Sequence, residues 1–280
     1  MMRPADVVRR GADYLERHDV QSPLSTSEQL MMSVIGADRA GVYARTGGLT
    51  TAEARSFGRL LCRRCGGTPT QHLTGEAGFR RLVLEVRPGV FVPRPETELL
   101  VDVALAVLRE RGVAAPLVVD VGTGTGAIAL AIADELPAAR LVATDLSAEA
   151  VALVRANAER LGLPVDVREG DLLAPLEPGL RGQVDLIVSN PPYLDPSWEP
   201  ELPAEVRADP PLALFGDVGV YERLFAESRA WLREGGGVAV EVDVRIASDV
   251  ADAAALAGFG DVRVHEDLAG RDRVVAGRLW

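Results

Sequence analysis

At 280 residues, against a prior of about 150 per domain, the chain has room for roughly two domains, and its 48% hydrophobic and 25% charged residues exclude a disordered state. A net charge of -11, from 30 basic and 41 acidic residues, argues against a protein that grips nucleic acid mainly by neutralising phosphates. Every basic side chain is Arg, which excludes lysine Schiff bases and P-loop phosphate contacts.

Met1 to Arg10 is charged with no apolar run behind it, and no apolar stretch approaches the roughly 20 residues that span a bilayer. A cytoplasmic protein is expected. The first 75 residues read as a domain of short helices: Ala5 to Arg17, Ser27 to Val34, Arg39 to Arg45 and Ala52 to Cys65. Thr26 or Ser27 is expected to cap the second helix, and Thr50 or Thr51, ahead of Glu53, the fourth. Each helix has one apolar stripe, as in Val7, Val8, Tyr14 and Leu15, and none carries a catalytic constellation, so the domain reads as one for positioning or partner recognition. Cys62 and Cys65 are the only cysteines. Their CxxC spacing at a helix end suits ordinary thiols better than metal or redox chemistry, and no metal is expected.

Residues 76–95 read as a β-hairpin linker, with Leu82, Leu84 and Val86 on one face and Val90 and Val92 after a Pro88-Gly89 turn. From 96 to 280 strands and helices alternate. Helices are expected at Glu96 to Arg111, Ile128 to Glu135, Ala148 to Leu161, Tyr221 to Arg233 and Ile246 to Ala257. Strands are expected at Leu117 to Val121, Arg140 to Thr144, Val165 to Arg168, Val184 to Ser189, Val238 to Val242, Val262 to Glu266 and Arg273 to Arg278. Seven strands so interleaved predict an α/β, Rossmann-like doubly wound sheet whose last two strands form an antiparallel hairpin.

The first of these strands runs into Gly122-Thr123-Gly124-Thr125-Gly126 and then a helix. Glycines there let the backbone approach a ligand, and the helix N-terminus offers unpaired amides. The pattern also satisfies a dinucleotide fingerprint, so by itself it leaves NAD and S-adenosylmethionine open. Asp145, ending the next strand, is placed to accept from both ribose hydroxyls of either cofactor. After the third strand, Asp171 is placed to accept an adenine amine, and Leu172 to supply an apolar wall and a backbone donor.

The fourth strand leads into Asn190-Pro191-Pro192-Tyr193. In an open sheet the first and fourth strands flank the switch point, so both loops are expected to face one crevice. Two prolines fix the backbone and remove two donors, leaving the Asn190 and Pro191 carbonyls and the Asn190 side-chain oxygen to accept from a planar NH2 group. Such acceptors strengthen as positive charge develops on nitrogen, and Tyr193 can lie against the flat group and exclude water. Asn190 and Tyr193 are therefore the expected catalytic pair, with Pro191 and Pro192 completing the substrate clamp. His18, His72 and His265 are scattered and belong to no triad.

These loops stand among further segments: Gln71-His72-Leu73-Thr74-Gly75, Pro93-Arg94-Pro95-Glu96-Thr97-Glu98, Glu205-Val206, Pro211-Leu212-Ala213-Leu214 and Asp267-Leu268-Ala269-Gly270-Arg271-Asp272-Arg273. In that order they make the chain resemble the release-factor glutamine N5-methyltransferases, the PrmC/HemK family, over most of its length. The resemblance implies a class I methyltransferase fold with a small N-terminal helical docking domain. It implies methylation of the glutamine side-chain amide in the Gly-Gly-Gln loop of class 1 peptide-chain release factors, with S-adenosyl-L-methionine as donor and S-adenosyl-L-homocysteine as product. Gly122 to Gly126, Asp145, Asp171, Leu172 and Asn190 are then expected to line the cofactor. A monomer without membrane attachment or stable nucleic-acid binding is expected. Arg94 and Glu96 invite a catalytic reading, but they are expected to fix the interdomain hairpin beside the pocket, as a hairpin-to-helix cap stabilised by an ion pair. One departure stands out: Asp243, in Glu241-Val242-Asp243-Val244-Arg245, replaces a glycine usual in the family. The rivals are an N6-adenine or other amino-group methyltransferase, which would handle a similar NH2 group, and a non-catalytic cofactor-binding scaffold.

Overall fold

The computed structural model describes residues 2–280; Met1, at the head of the expected first domain, lies outside them. Packing divides the chain into two compact units, one running to Glu76 and taking in Leu202–Ala208, the other comprising Ala77–Glu201 and Asp209–Trp280.

The first unit holds α1 (Pro4–Glu16), α2 (Pro23–Ile35), α3 (Arg39–Ala44), α4 (Thr51–Cys65) and α5 (Thr70–Thr74) around Val8, Leu15, Leu30, Met31, Phe57 and Leu61. The expected cap of α2 is corrected: the helix starts at Pro23, whose fixed φ suits a first helical position, and Thr26 and Ser27 are buried inside it. Ser27 Oγ instead donates to the Val8 carbonyl at 2.7 Å. A Cβ on Gly11 would lie 2.5 Å from that hydroxyl, so glycine allows α1 and α2 to touch. At α4, Thr50 and Glu53 form a reciprocal capping box. The single turn of α5, closed by Gly75 at φ 80°, was not expected from the sequence, being shorter than any amphipathic period. Within this unit Arg64 pairs with Glu205.

The hairpin is β1 (Glu76–Phe79) and β2 (Leu82–Glu85), turning at Arg80-Arg81 rather than at Pro88-Gly89. Val86, Val90 and Val92 are buried but lie outside any strand. The Val92 amide is taken by Asp209 Oδ1 at 3.2 Å, not by a strand neighbour. Phe79, Leu82 and Leu84 belong to the large core of the second unit, and Asn157 accepts from the Glu85 amide and donates to its carbonyl. Arg80 pairs with Glu135 and Asp102.

The remaining elements are α6 (Glu98–Arg111), β3 (Leu117–Val121), α7 (Ala127–Glu135), β4 (Arg140–Asp145), α8 (Ala148–Leu161), β5 (Val165–Glu169), β6 (Val184–Ser189), α9 (Pro211–Leu214), α10 (Val218–Ser228), β7 (Leu232–Glu241), α11 (Ala247–Leu256), β8 (Phe259–Glu266) and β9 (Asp272–Leu279). Their sheet order is β5-β4-β3-β6-β7-β9-β8, parallel except for β9, which runs antiparallel to both neighbours. One face packs on α6, α7 and α8 and the other on α10 and α11, as near-continuously apolar strands require. The expected end of α10 at Arg233 is corrected to Ser228, because Leu232 already pairs with Val184 in the sheet. The short α9 was also not foreseen. The chain goes from β3 to β4 on one side and from β6 to β7 on the other, so a crevice opens beyond the ends of β3 and β6.

Candidate active site

Val121 and Ser189, the last residues of β3 and β6, are register partners, and Ser189 Oγ donates to the Val121 carbonyl at 2.7 Å. The glycine loop and the Asn-Pro-Pro-Tyr segment therefore leave the sheet side by side.

Gly122, Gly124 and Gly126 all have positive φ, at 69°, 58° and 83°, but their surroundings differ. A Cβ on Gly122 or Gly124 would meet nothing within 4 Å, whereas on Gly126 it would press on Val154 at 2.9 Å and Leu130 at 3.0 Å. The first two keep a cradle open; the third lets the start of α7 pack against Val154 of α8. Asp145 holds the loop from the next strand, accepting from the Gly124 amide at 2.8 Å and the Ser147 amide at 2.9 Å, and burial pushes its carboxyl up. Beneath, fully buried Asp120 accepts from Thr123 Oγ1 at 2.6 Å and from the Ala129 amide at 3.1 Å. Its Oδ1 has no partner, and burial pushes the carboxyl up to about 7 against the pull of those two donors. Thr125 is buried, and Gly126 at the N-cap of α7 has no side chain to cap the helix; Asp120 takes the Ala129 amide, which leaves those of Ala127 and Ile128 without a side-chain cap.

Leu172 takes the left-handed region at φ 44°; its carbonyl accepts from Thr144 Oγ1 at 2.9 Å and its side chain packs on the core. The Asp171 carboxylate is held by Arg223 at 2.6 Å, both side chains being more than half exposed.

On the other side Asn190 is half-buried and gives Nδ2 to Thr97 Oγ1 at 3.3 Å. Pro191 is buried and Pro192 partly so; Tyr193 packs on the core, and burial, with Glu241 and Asp243 nearby, pushes its phenol well up. Gly216 backs the segment: a Cβ there would sit 2.1 Å from the Pro192 carbonyl oxygen. The junction before α6 corrects one expectation, since Arg94 pairs not with Glu96 but with Asp209, whose side chain is fully buried. Glu241, at the end of β7, is 2% exposed. Burial pushes it up to about 7; donors on Thr97 and Asn190 and the charge of Arg273 pull down, while Glu96 pushes up.

Two family models match the chain: the Methyltransferase small domain over residues 84–201 and the PrmC N-terminal domain over residues 6–75. A release factor glutamine methyltransferase of Deinococcus radiodurans is 42% identical over 282 residues, covering 99% of each chain. One from Streptomyces coelicolor is 41% identical, covering 92% of each. The chain belongs to the release factor glutamine methyltransferase family. Among solved structures, a Thermus thermophilus 16S rRNA N2 G1207 methyltransferase shares the fold, at 22% identity with a TM-score of 0.53, over 73% of this chain and 50% of that one.

In this methyltransferase the open cradle at Gly122 and Gly124, the orphaned Asp120 Oδ1 and the first two amides of α7, which no side chain caps, fit a ligand carrying cationic and anionic ends, as S-adenosylmethionine does. Asp243 pairs with Arg245 at 2.7 Å, and Arg245 stacks 3.4 Å over Trp198. Thr97, Gly216, Asp209 and Glu241 were not picked from the sequence as site residues. For Thr97 and Glu241 the only signal was membership of motifs whose internal roles a single sequence does not separate. Cys62 and Cys65 are free thiols, and among the described residues no cluster of His, Cys, Asp or Glu is placed to hold a metal.

Proposed function

We propose that this methyltransferase modifies the side-chain amide nitrogen of the glutamine in the Gly-Gly-Gln loop of class 1 peptide-chain release factors, with S-adenosylmethionine as donor. The observation that carries the reading is the tethering of Asn190 Nδ2 by Thr97, which leaves Oδ1 to accept. Gly122 to Gly126, Asp145, Asp171 and Leu172 would hold the donor, which when bound supplies an electrophilic methyl carbon on a sulfonium. Arg223 would release Asp171 for that role. Asn190 Oδ1, with the Asn190 and Pro191 carbonyls, accepts both hydrogens of the substrate NH2 and so fixes the plane of the amide and the direction of its nitrogen lone pair. As positive charge grows on that nitrogen, the same acceptors bind more strongly. Tyr193, neutral at any physiological pH, covers the flat group and excludes water. No side chain need take the proton: the charged N-methylated amide is acidic enough to pass it to water.

The helical unit, matched by the PrmC N-terminal model, is assigned to gripping the factor. A monomer acting in the cytoplasm, without stable nucleic-acid binding, completes the proposal; no helix among the described residues is long and apolar enough to cross a membrane. The test is incubation with labelled donor and purified release factors, factors with the loop glutamine replaced, and DNA. Label on intact factors alone is expected; label on DNA alone overturns the substrate.

A further inference from the structure

A carboxylate that is 2% exposed, has one oxygen without a partner and lies outside any close ion pair is costly to keep, and Glu241 is such a group. Its place is specific. Ser189 pairs with Val240, so Glu241 follows on β7 where Asn190 follows on β6. Its carbonyl is anchored by the Tyr221 hydroxyl at 2.8 Å, which fixes the strand end, and its carboxylate is faced by Thr97 and Asn190. Glu96 before α6, Arg273 on β9, Tyr193 after β6 and Tyr221 on α10 complete its charged and titratable surroundings.

We infer that Glu241 is a positioning residue that sets which way round the Asn190 amide stands. The inference rests on the proposed clamp on the substrate NH2. An ionised carboxylate only accepts, so a hydroxyl beside it must donate. Thr97 has one hydrogen to give; once it points at Glu241, Thr97 Oγ1 can only accept from its other side. The Asn190 group 3.3 Å from that oxygen is therefore NH2, not C=O; the same NH2 also faces the Glu241 carboxylate directly, which selects the same orientation, and Oδ1 is left for the substrate. A hydrogen on position 241 reverses the chain. Glu241 in its protonated form, or Gln in its place, can donate to Thr97, whose hydroxyl then turns to Asn190 and selects the flipped amide, presenting NH2 to NH2. Burial, and to a smaller degree Glu96, oppose the ionised form, while the donors on Thr97 and Asn190 and the charge of Arg273 favour it, so the setting is pH-dependent.

The experiment compares wild type, Glu241→Gln, Thr97→Val and the double variant for donor affinity by calorimetry and for kcat and KM on a release factor across pH 5.5–9. Glu241→Gln is expected to lower kcat by about tenfold to a hundredfold, with donor affinity held within about twofold. The fall of wild-type kcat towards acid is expected to vanish in this variant. The double variant is expected to be no slower than the slower single one, because both act through one amide. Wild-type kcat and pH profile in Glu241→Gln, or losses that multiply in the double variant, overturn the inference. If Glu241→Gln does not fold, Thr97→Val decides alone: reduced kcat with intact donor binding supports the relay, and unchanged kcat refutes it. A wild-type enzyme that binds the donor yet leaves release factors unlabelled overturns the clamp itself, and this role with it.

Discussion

Asn190 at the end of β6 gives its Nδ2 to Thr97 Oγ1, 3.3 Å away and 93 residues earlier in the chain. The residue at the reacting end of the sheet is thus oriented by the turn that opens α6. A side chain held in this way acts by geometry, and its removal should be felt in turnover more than in binding.

Asn190→Ala is accordingly expected to lower kcat by about a hundredfold or more, the scale seen when one preorganised polar partner of a developing charge is lost. Donor affinity should change by no more than a few-fold, since the cradle at Gly122 and Gly124 is untouched. Steady-state kinetics with calorimetric donor titration checks this; equal losses in both would move Asn190 into the donor site.

Gly124→Ala separates conformation from space. The new Cβ meets no protein atom within 4 Å, so folding should lose only about 1–2 kcal/mol for a left-handed alanine at φ 58°. The methyl projects into the cradle, and donor affinity should fall by at least an order of magnitude. Thermal unfolding and a donor titration read the two effects separately.

Gly216→Ala is the opposite case, because its Cβ would sit 2.1 Å from the backbone oxygen of Pro192. The Asn-Pro-Pro-Tyr backbone must move, and turnover should drop at least tenfold through misalignment, the sensitivity expected of near-attack geometry. Single-turnover rates at saturating donor check it; a wild-type rate would mean that the clamp tolerates displacement.

Arg94→Met removes the cation beside fully buried Asp209 and should cost about 3–5 kcal/mol in denaturant unfolding. Adding Asp209→Leu should restore part of that loss, although the Val92 amide then loses its acceptor. A double variant worse than the sum of its parts would show that the ion pair is not the reason Asp209 is buried.

Stability should fall as pH rises from about 4 to about 7. Glu241 and Asp120, each pushed up to about 7 by burial, keep their protons in the folded protein after the unfolded chain has released them near the ordinary values of 4.5 and 3.8. The folded state therefore holds more protons across this window, and the slope is negative. For Glu241 the stabilisation lost is on the order of 3 kcal/mol. Glu53, held down at about 2 by Arg45 and the Thr50 amide, works with the opposite sign and only below about 4.5. Urea midpoints at pH 5 and 7.5 should differ in wild type and differ less in Glu241→Gln.

Much of this was open to reading from residue order. Apolar runs at β3, β4 and β6 and the glycine spacing after Val121 are local properties, because strand burial and positive φ leave their mark on the residue itself. The antiparallel end formed by β8 and β9 was likewise legible from chain proximity. Sequence reading puts the hairpin turn at Pro88-Gly89, which carries the stronger turn chemistry, whereas the actual turn residue Arg80, at φ 51°, is held by Glu135, Asp102 and Glu98, which lie far off in the chain. Arg94 is a similar case: in the sequence its neighbour Glu96 offers itself as the partner, while the true partner, Asp209, lies 115 residues away.

Residue order alone was enough for the layered α/β architecture, the helical first unit and the two loops that meet at the crevice, since periodicity, glycine and proline act over a few residues. What stands behind those loops came from packing: Thr97 and Glu241 beside Asn190, Gly216 against Pro192, Asp209 beside Arg94. Hydrogen bonds and burial of charge depend on distance through space, and that distance exists only once β6, β7 and the start of α6 have packed.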